Sequence, residues 1–234
     1  MIDFVDTYDV RARLAPALVA AAPGAVALGA LASIEQLAFV QWIAGICAIG
    51  VAVLTTAIVR DRGKALEPLL YAEWGGRPTS IILRYSDRTL DPLLKTRYRL
   101  NLEKLVPGFR SPSPQEELSD VSAADRRYDI AIRWLIERTT ERTKFPKVFA
   151  HNCGYGFRRN LLGLKPFGFG SSALATVIAT WMLYSSGLVI ASLLGLSVAI
   201  LGWLTFSVFV NQSFVKRAAF DYAIHLVGAS DSLA

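Results

Sequence analysis

Three stretches of the chain bring cations and aromatic rings close enough together to bind an anion. In YAEWGGRPTSIILRYSD, residues 71–87, paired glycines at 75 and 76 allow positive φ and Pro78 sets the exit, so a tight turn carries Arg77. If Thr79 or Ser80 caps a helix behind that turn, backbone N–H groups and Arg77 form a cradle for phosphate. In LLKTRYRLNLEK, residues 93–104, Lys95, Arg97 and Arg99 interleave with Tyr98. Cations of this kind neutralise phosphates while a ring stacks on a base. The third stretch, CGYGFRRNLLGLKPFGFG at 153–170, packs five glycines, four aromatic residues and three cations into one run. Arg158 and Arg159 are expected to contact an anion there. Lys165, Phe167 and Phe169 are expected to mark a membrane interface, where a basic residue gains about 1 kcal/mol from anionic lipid. Each stretch also has a plainer reading: a structural turn, a solvated or headgroup-facing helix face, and a juxtamembrane anchor.

Residue types that carry covalent or metal chemistry are sparse. His151 and Cys153 lie two apart, which on a helix points them in different directions, and His225 is distant in sequence. Two cysteines, Cys47 and Cys153, make no disulfide framework, and no metal-ligand spacing occurs. Glu67, Glu73, Asp87 and Asp91 are acidic, but nothing in their spacing selects them over capping and surface roles. The 71–87 turn matches neither a P-loop nor a dinucleotide fingerprint. No enzyme activity, metal or cofactor is expected.

The elements that must position these residues are apolar to an unusual degree. Hydrophobic residues make up 53% of the 234, and they are concentrated at 14–33, 37–59, 171–188 and 189–210, none of which contains Asp, Glu, Lys, Arg or His. A helix of about 20 residues, at ~1.5 Å per residue, crosses a ~30 Å hydrocarbon layer. Four transmembrane helices are therefore predicted. Arg11 and Arg13 precede the first, Arg60, Arg62 and Lys64 follow the second, Arg158, Arg159 and Lys165 precede the third, and Lys216 and Arg217 follow the fourth. The connections at 34–36 and 185–187 carry no Lys or Arg. The positive-inside rule then places both termini and the central insert in the cytoplasm of a multi-pass inner-membrane protein.

The expected fold is an all-α integral membrane protein: four transmembrane helices as two hairpins, with a mainly helical cytoplasmic domain inserted between them. Its parts are an N-terminal segment 1–13, hairpin 14–59, basic domain 60–170, hairpin 171–210 and C-terminal helix or tail 211–234. The 60–170 insert holds 21 Lys and Arg against 13 Asp and Glu, a net +8, whereas the rest of the chain carries −2. Within it Asp91-Pro92, Ser113-Pro114-Gln115-Glu116 and Ser122-Ala-Ala-Asp125 read as helix starts. Tyr128, Ala131, Ile132 and Leu135 recur at helical spacing, and TSIILRY is the one candidate for a short strand. In the spans, Gly24 and Gly29 lie in small-xxx-small patterns that favour close helix packing. Hydroxyls of Thr55, Thr56, Thr176, Thr180, Ser192 and Ser197 are candidates to line a weakly selective path between subunits of a homo-oligomer.

The motifs EWGGRPT and YGFRRNLLGLKP look like those of a family of bacterial membrane proteins, and in layout, though not by a signature, the chain resembles small multi-span membrane effectors of prokaryotic anti-phage defence. These are the four-span effectors of nucleotide-signalling systems and the Hailong-type DNA-gated channels. The resemblance implies an oligomer in membrane lipid, gated by a nucleotide or oligonucleotide on its basic cytoplasmic domain, with a signal-producing partner protein. The alternative is a membrane anchor or scaffold that recruits a protein or anionic lipid without a pore.

Overall fold

The computed structural model describes residues 7–34 and 58–234, and every regular element among them is helical. Two compact units emerge, one from the described parts of Met1–Leu66 with Gly156–Val215, the other from Glu67–Tyr155 with Lys216–Ala234. The C-terminal residues from Lys216 on thus share a unit with the central insert.

In the first unit, a turn at Thr7–Asp9 and a π-helical turn at Val10–Leu14 lead into helix α1, Ala15–Ile34. Helix α2 runs over 58–74 and supplies its first residues to this unit. Later come α7 (Pro146–Gly163, entering from the other unit), α8 (Lys165–Ser186) and α9 (Ile190–Leu204), the last extended by a π-helical turn at Thr205–Phe209. Three helices here, Thr7–Ser33, Lys165–Ser186 and Ile190–Phe209, are long and apolar enough to cross a membrane. The expected second span, 37–59, lies outside the described residues except for its last two positions.

Helices α1, α8 and α9 pack against one another on small residues. Ala12, Pro16, Ala20, Pro23, Gly24, Ala27 and Ala30 form one buried stripe, facing Ala175, Ile178, Met182 and Ala199. Small side chains let backbones approach closely, the main source of packing energy where no hydrophobic force acts between helices. Pro23 cannot donate to its helix, and beside it the Ser171 hydroxyl of α8 accepts from Gly24 N–H (2.9 Å) and donates to Ala21 O (3.1 Å). The outer faces of α8 and α9 expose Val177, Trp181, Ile200, Leu201 and Val208, which leaves a large apolar surface.

The second unit contains the rest of α2, a turn at 75–77, α3 (Pro78–Ile81), α4 (Pro92–Leu105), α5 (Pro114–Ser119) and α6 (Val121–Arg138). The start of α7, most of α10 (Gln212–Gly228) and a 3-10 turn at Ala229–Ser232 complete it. Its core is built on Tyr98, Leu102, Tyr128, Ala131, Leu135 and Leu226. Asp91 caps α4, accepting from Leu93 and Leu94 N–H, and Ser113 with Glu116 forms the reciprocal box at α5. Helix α6 starts earlier than the Ser122 signal suggests, because the Asp120 carboxylate accepts from Ala123 N–H. Its predicted stripe of Tyr128, Ala131, Ile132 and Leu135 is buried.

TSIILRY is not a strand. It enters the short α3 and then an irregular run whose carbonyls are taken by buried cations in place of a neighbouring strand. Arg99 donates to Leu83 O (2.9 and 2.5 Å), and Lys95 donates to Arg84 O (2.7 Å) and Asp87 O (2.5 Å). The buried Glu117 carboxylate accepts from Tyr85 and Ser86 N–H (2.9 and 3.1 Å) on the same segment.

Candidate functional site

A cleft of about 250 Å3 opens in the second unit. Helix α2 lines it with Glu67 and Tyr71, the 75–79 turn with Arg77, Pro78 and Thr79, and α6 with Asp129, Ile132, Arg133 and Ile136. Tyr155 of α7 and Tyr222 of α10 close the wall, with Ala219 beside them. The rings of Tyr155 and Tyr222 are parallel within 2°, their centroids 6.3 Å apart. The Tyr155 hydroxyl donates to Glu67 Oε1 (3.1 Å) and lies 3.2 Å from the Tyr71 hydroxyl. Such a wall offers apolar faces to a flat ring and polar tips to its edge.

Arg77 is held at the cleft by a rigid turn. Gly75 and Gly76 take φ of +82° and +143°, and Arg84 locks them from beneath by donating to Gly75 O (2.7 Å). Arg84 in turn is gripped through two of its three nitrogens, Nε and Nη2, by the Asp125 carboxylate, the Nε bond measuring 2.8 Å. That bond outweighs burial and pushes the Arg84 guanidinium above its ordinary range. A side chain at position 76 would run into Arg84 and Asp125, so glycine is required there by space as well as by φ. Arg77 itself precedes α3 in extended backbone, and Ser80 points its hydroxyl at Asp129 Oδ1 (2.5 Å), so neither Thr79 nor Ser80 caps a phosphate-binding helix.

Charge in the cleft is mixed. The Arg77 guanidinium lies 3.3 Å from Asp129 Oδ2 and 5.9 Å from the Tyr71 ring centroid, with 52% of its side chain exposed. Arg133 is exposed and has no hydrogen-bond or ion-pair partner among the described residues. Sequence reasoning missed Arg133, which reads as one more cation on the polar side of an amphipathic helix. Only the convergence of α2, α6, α7 and α10 makes it part of a site.

The other expected anion contacts are not gathered at the cleft. Lys95 and Arg99 are buried and bonded to backbone carbonyls, and burial pushes the Lys95 ammonium below its ordinary range despite nearby Asp87. Tyr98 is a core residue. Arg97 pairs with Asp231 (2.6 Å), whose other oxygen accepts from Asn101 (2.8 Å), so it pins the C-terminal turn to α4. In the first unit Arg158 donates to Phe214 O (3.2 Å) and lies 4.6 Å over that ring. Arg159 is buried against Asn160, whose amide donates to Ala12 O (2.6 Å) inside the π-helical turn. A π turn slips the helical register and frees a carbonyl, and Asn160 satisfies it. Lys95, Arg99 and Arg158 thus serve backbone carbonyls, whereas Arg97 and Arg159 serve side-chain oxygens, roles that residue type alone does not reveal.

Lys165 donates to Val210 O (2.8 Å), Phe167 is half exposed beneath the Arg62 guanidinium at 4.8 Å, and Phe169 packs on Trp203 and Phe206. Thr176, Thr180 and Ser197 each donate to a carbonyl four residues back in their own helix, and Ser192 bonds Gly187 O and Val189 O at the start of α9. Thr55 and Thr56 lie outside the described residues. Gly24 is at a contact, where an added Cβ would lie 3.1 Å from Ser171 Oγ, whereas Gly29 has no described atom within 4 Å of that position.

His151 and His225, far apart in sequence, stack with centroids 3.7 Å apart and planes at 15°. His225 Nδ1 is 2.8 Å from Asp221 O. Burial first, and His225 second, push His151 below the ordinary imidazole value, with Asp221 opposing. Among the described residues no three His, Cys, Asp or Glu side chains are grouped to hold a metal ion. No protein family, curated protein or solved structure matches the chain.

Proposed function

We propose that this chain is a membrane-integrated sensor or effector whose second unit binds a nucleotide-type anion in the cleft of Arg77, Arg133 and the three tyrosines. The observation that carries the reading is Arg133, an arginine without a partner among the described residues, beside half-exposed Arg77 on a tyrosine-walled cleft. A nucleotide suits both signs of charge: phosphoryl groups meet the guanidinium groups, the base lies against tyrosine faces, and amino groups on the base reach Glu67. Membrane integration is supported by the three helices of 27, 22 and 20 residues long and apolar enough to span. In this proposal the protein sits in the inner membrane as a homo-oligomer that opens an ion path on gaining or losing the ligand. A role in anti-phage defence, with a partner protein that makes the signal, extends it on the resemblance of layout.

The test is binding of a fluorescent N-methylanthraniloyl nucleotide to the full chain in lipid nanodiscs, followed by ion flux in liposomes. Arg77→Gln and Arg133→Gln should each weaken binding about 5- to 100-fold, as expected for loss of a charged hydrogen bond. Binding by both variants equal to that of the parent would overturn the cleft assignment. A second reading, an anchor without a pore, is favoured by one observation: the hydroxyls of Thr176, Thr180, Ser192 and Ser197, the described candidates to line a path, are bonded to backbone carbonyls of their own chain segment. Liposomes that stay tight with and without nucleotide, while the cleft binds it, would select the anchor.

A further inference from the structure

We propose that Asp129 is a built-in competitor for Arg77, so that the cleft admits a ligand only when its anionic group displaces this carboxylate. The proposal rests on the cleft being the anion site. Asp129 lies on α6 with one oxygen held by Ser80 Oγ at 2.5 Å and the other 3.3 Å from the Arg77 guanidinium. Its carboxylate is therefore aimed at Arg77 by a hydrogen bond that does not depend on Arg77. On the opposite side, the turn that carries Arg77 is fixed by Arg84 and Asp125. Both partners are thus positioned independently, and the pair meets at the cleft wall.

A tethered carboxylate presents an effective concentration in the millimolar range or above, which a weakly held monoanion does not match. Arg133, one turn along α6 from Asp129, has no competing partner among the described residues and offers the first point of capture. A ligand with at least two anionic groups has the advantage: one engages Arg133 while the second exchanges with Asp129 at Arg77. The ligand class that follows is a nucleoside diphosphate or triphosphate, or another ligand with two phosphoryl groups. Exchange leaves Asp129 bonded to Ser80 and frees its second oxygen, so the wall between α3 and α6 keeps its tie while Arg77 changes partner.

The experiment titrates N-methylanthraniloyl-ATP into the full chain in nanodiscs of neutral lipid at constant salt. Asp129→Asn keeps size and the Ser80 contact and should tighten binding about two- to five-fold, the equivalent of a partly exposed ion pair. In an Arg77→Gln background the same substitution should change affinity little, because the competition has lost its object. Equal tightening in both backgrounds would mean that Asp129 acts only as a general negative charge, and would overturn the proposal, as would no tightening in the parent background. Failure of the parent itself to bind the probe would refute the cleft reading and the proposal together, whereas binding that depends on Arg77 and Arg133 but not on Asp129 would refute only the competitor. Asp129→Ser, which removes the carboxylate with a smaller side chain, supplies the same comparison if the asparagine variant is not folded by thermal melting.

Discussion

Arg99 and Tyr128 are both buried polar side chains, and they stand at opposite ends of the energy scale. Arg99 is buried yet gives two hydrogen bonds to Leu83 O and lies 3.5 Å over the Tyr85 ring, so its charge is compensated. The Tyr128 hydroxyl is buried with no well-formed hydrogen bond among the described residues, and burial pushes it up to about 12 against the opposing pull of the nearby Arg99 guanidinium. Removing an unsatisfied hydroxyl while keeping the ring relieves a desolvation penalty. Tyr128→Phe should therefore leave stability unchanged or raise it by about 1 kcal/mol, read as the denaturation midpoint in detergent. A loss of 1 kcal/mol or more would show that the hydroxyl has a partner. The histidine stack makes a pH prediction of definite sign. His151 is depressed, so the folded state binds fewer protons than the unfolded chain once pH falls below the ordinary value of about 6.5. Stability contributed by the neutral stack is complete above that pH and is lost as pH falls toward the depressed value. Melting temperature measured from pH 8 to pH 5 should fall in this window, and His151→Phe should flatten the fall.

At the scale of elements, the packing face of α1 separates two glycines that look equivalent in sequence. Gly24 lies in the buried stripe and meets Ser171 and Leu174, while Gly29 is exposed beyond the reach of any described side chain. Gly24→Leu should disrupt the α1–α8 contact and lower the yield of folded protein, whereas Gly29→Leu should be tolerated within the chain. Size-exclusion profiles in detergent distinguish the two, and equal damage from both would place Gly29 at an interface between subunits. Ser171→Ala removes the hydroxyl that bonds Gly24 N–H and Ala21 O across the α1–α8 contact, at an expected cost of about 0.5–2 kcal/mol. Legibility from sequence was uneven at this scale. The caps at Asp91 and Ser113 and the stripe of α6 were readable because they depend on neighbours within one turn. Ser122 was misleading because Asp120, a stronger acceptor two residues earlier, takes the capping position.

For the whole molecule, the exposed apolar faces of α8 and α9 call for lipid or another subunit to cover them. Native mass spectrometry of the detergent-solubilised protein should report a homo-oligomer, and a monomer alone would favour the anchor reading. The predicted orientation has its own check. A cysteine introduced at Ser186 should react with an impermeant thiol reagent from the periplasmic side and one at Ser113 should not, and labelling of Ser113 in intact spheroplasts would reverse the topology.

Long uncharged runs in the sequence were sufficient to predict helices of membrane length, because exclusion of charge from hydrocarbon acts on composition and needs no partner. The helical character of the insert was legible for a related reason, since periodicity and caps are local. The site was not. Of the seven residues expected to meet an anion, only Arg77 lines the cleft, its place foreshadowed by the Gly75-Gly76 turn that holds it. Lys95, Arg99 and Arg159 look in sequence like free cations, but each is buried and bonded to oxygen atoms within the fold. Arg133 and the stacked histidines became visible only when helices distant in sequence were brought together. Charge is a property of a residue, but whether that charge is available to a ligand depends on which carbonyls and carboxylates the tertiary fold places around it.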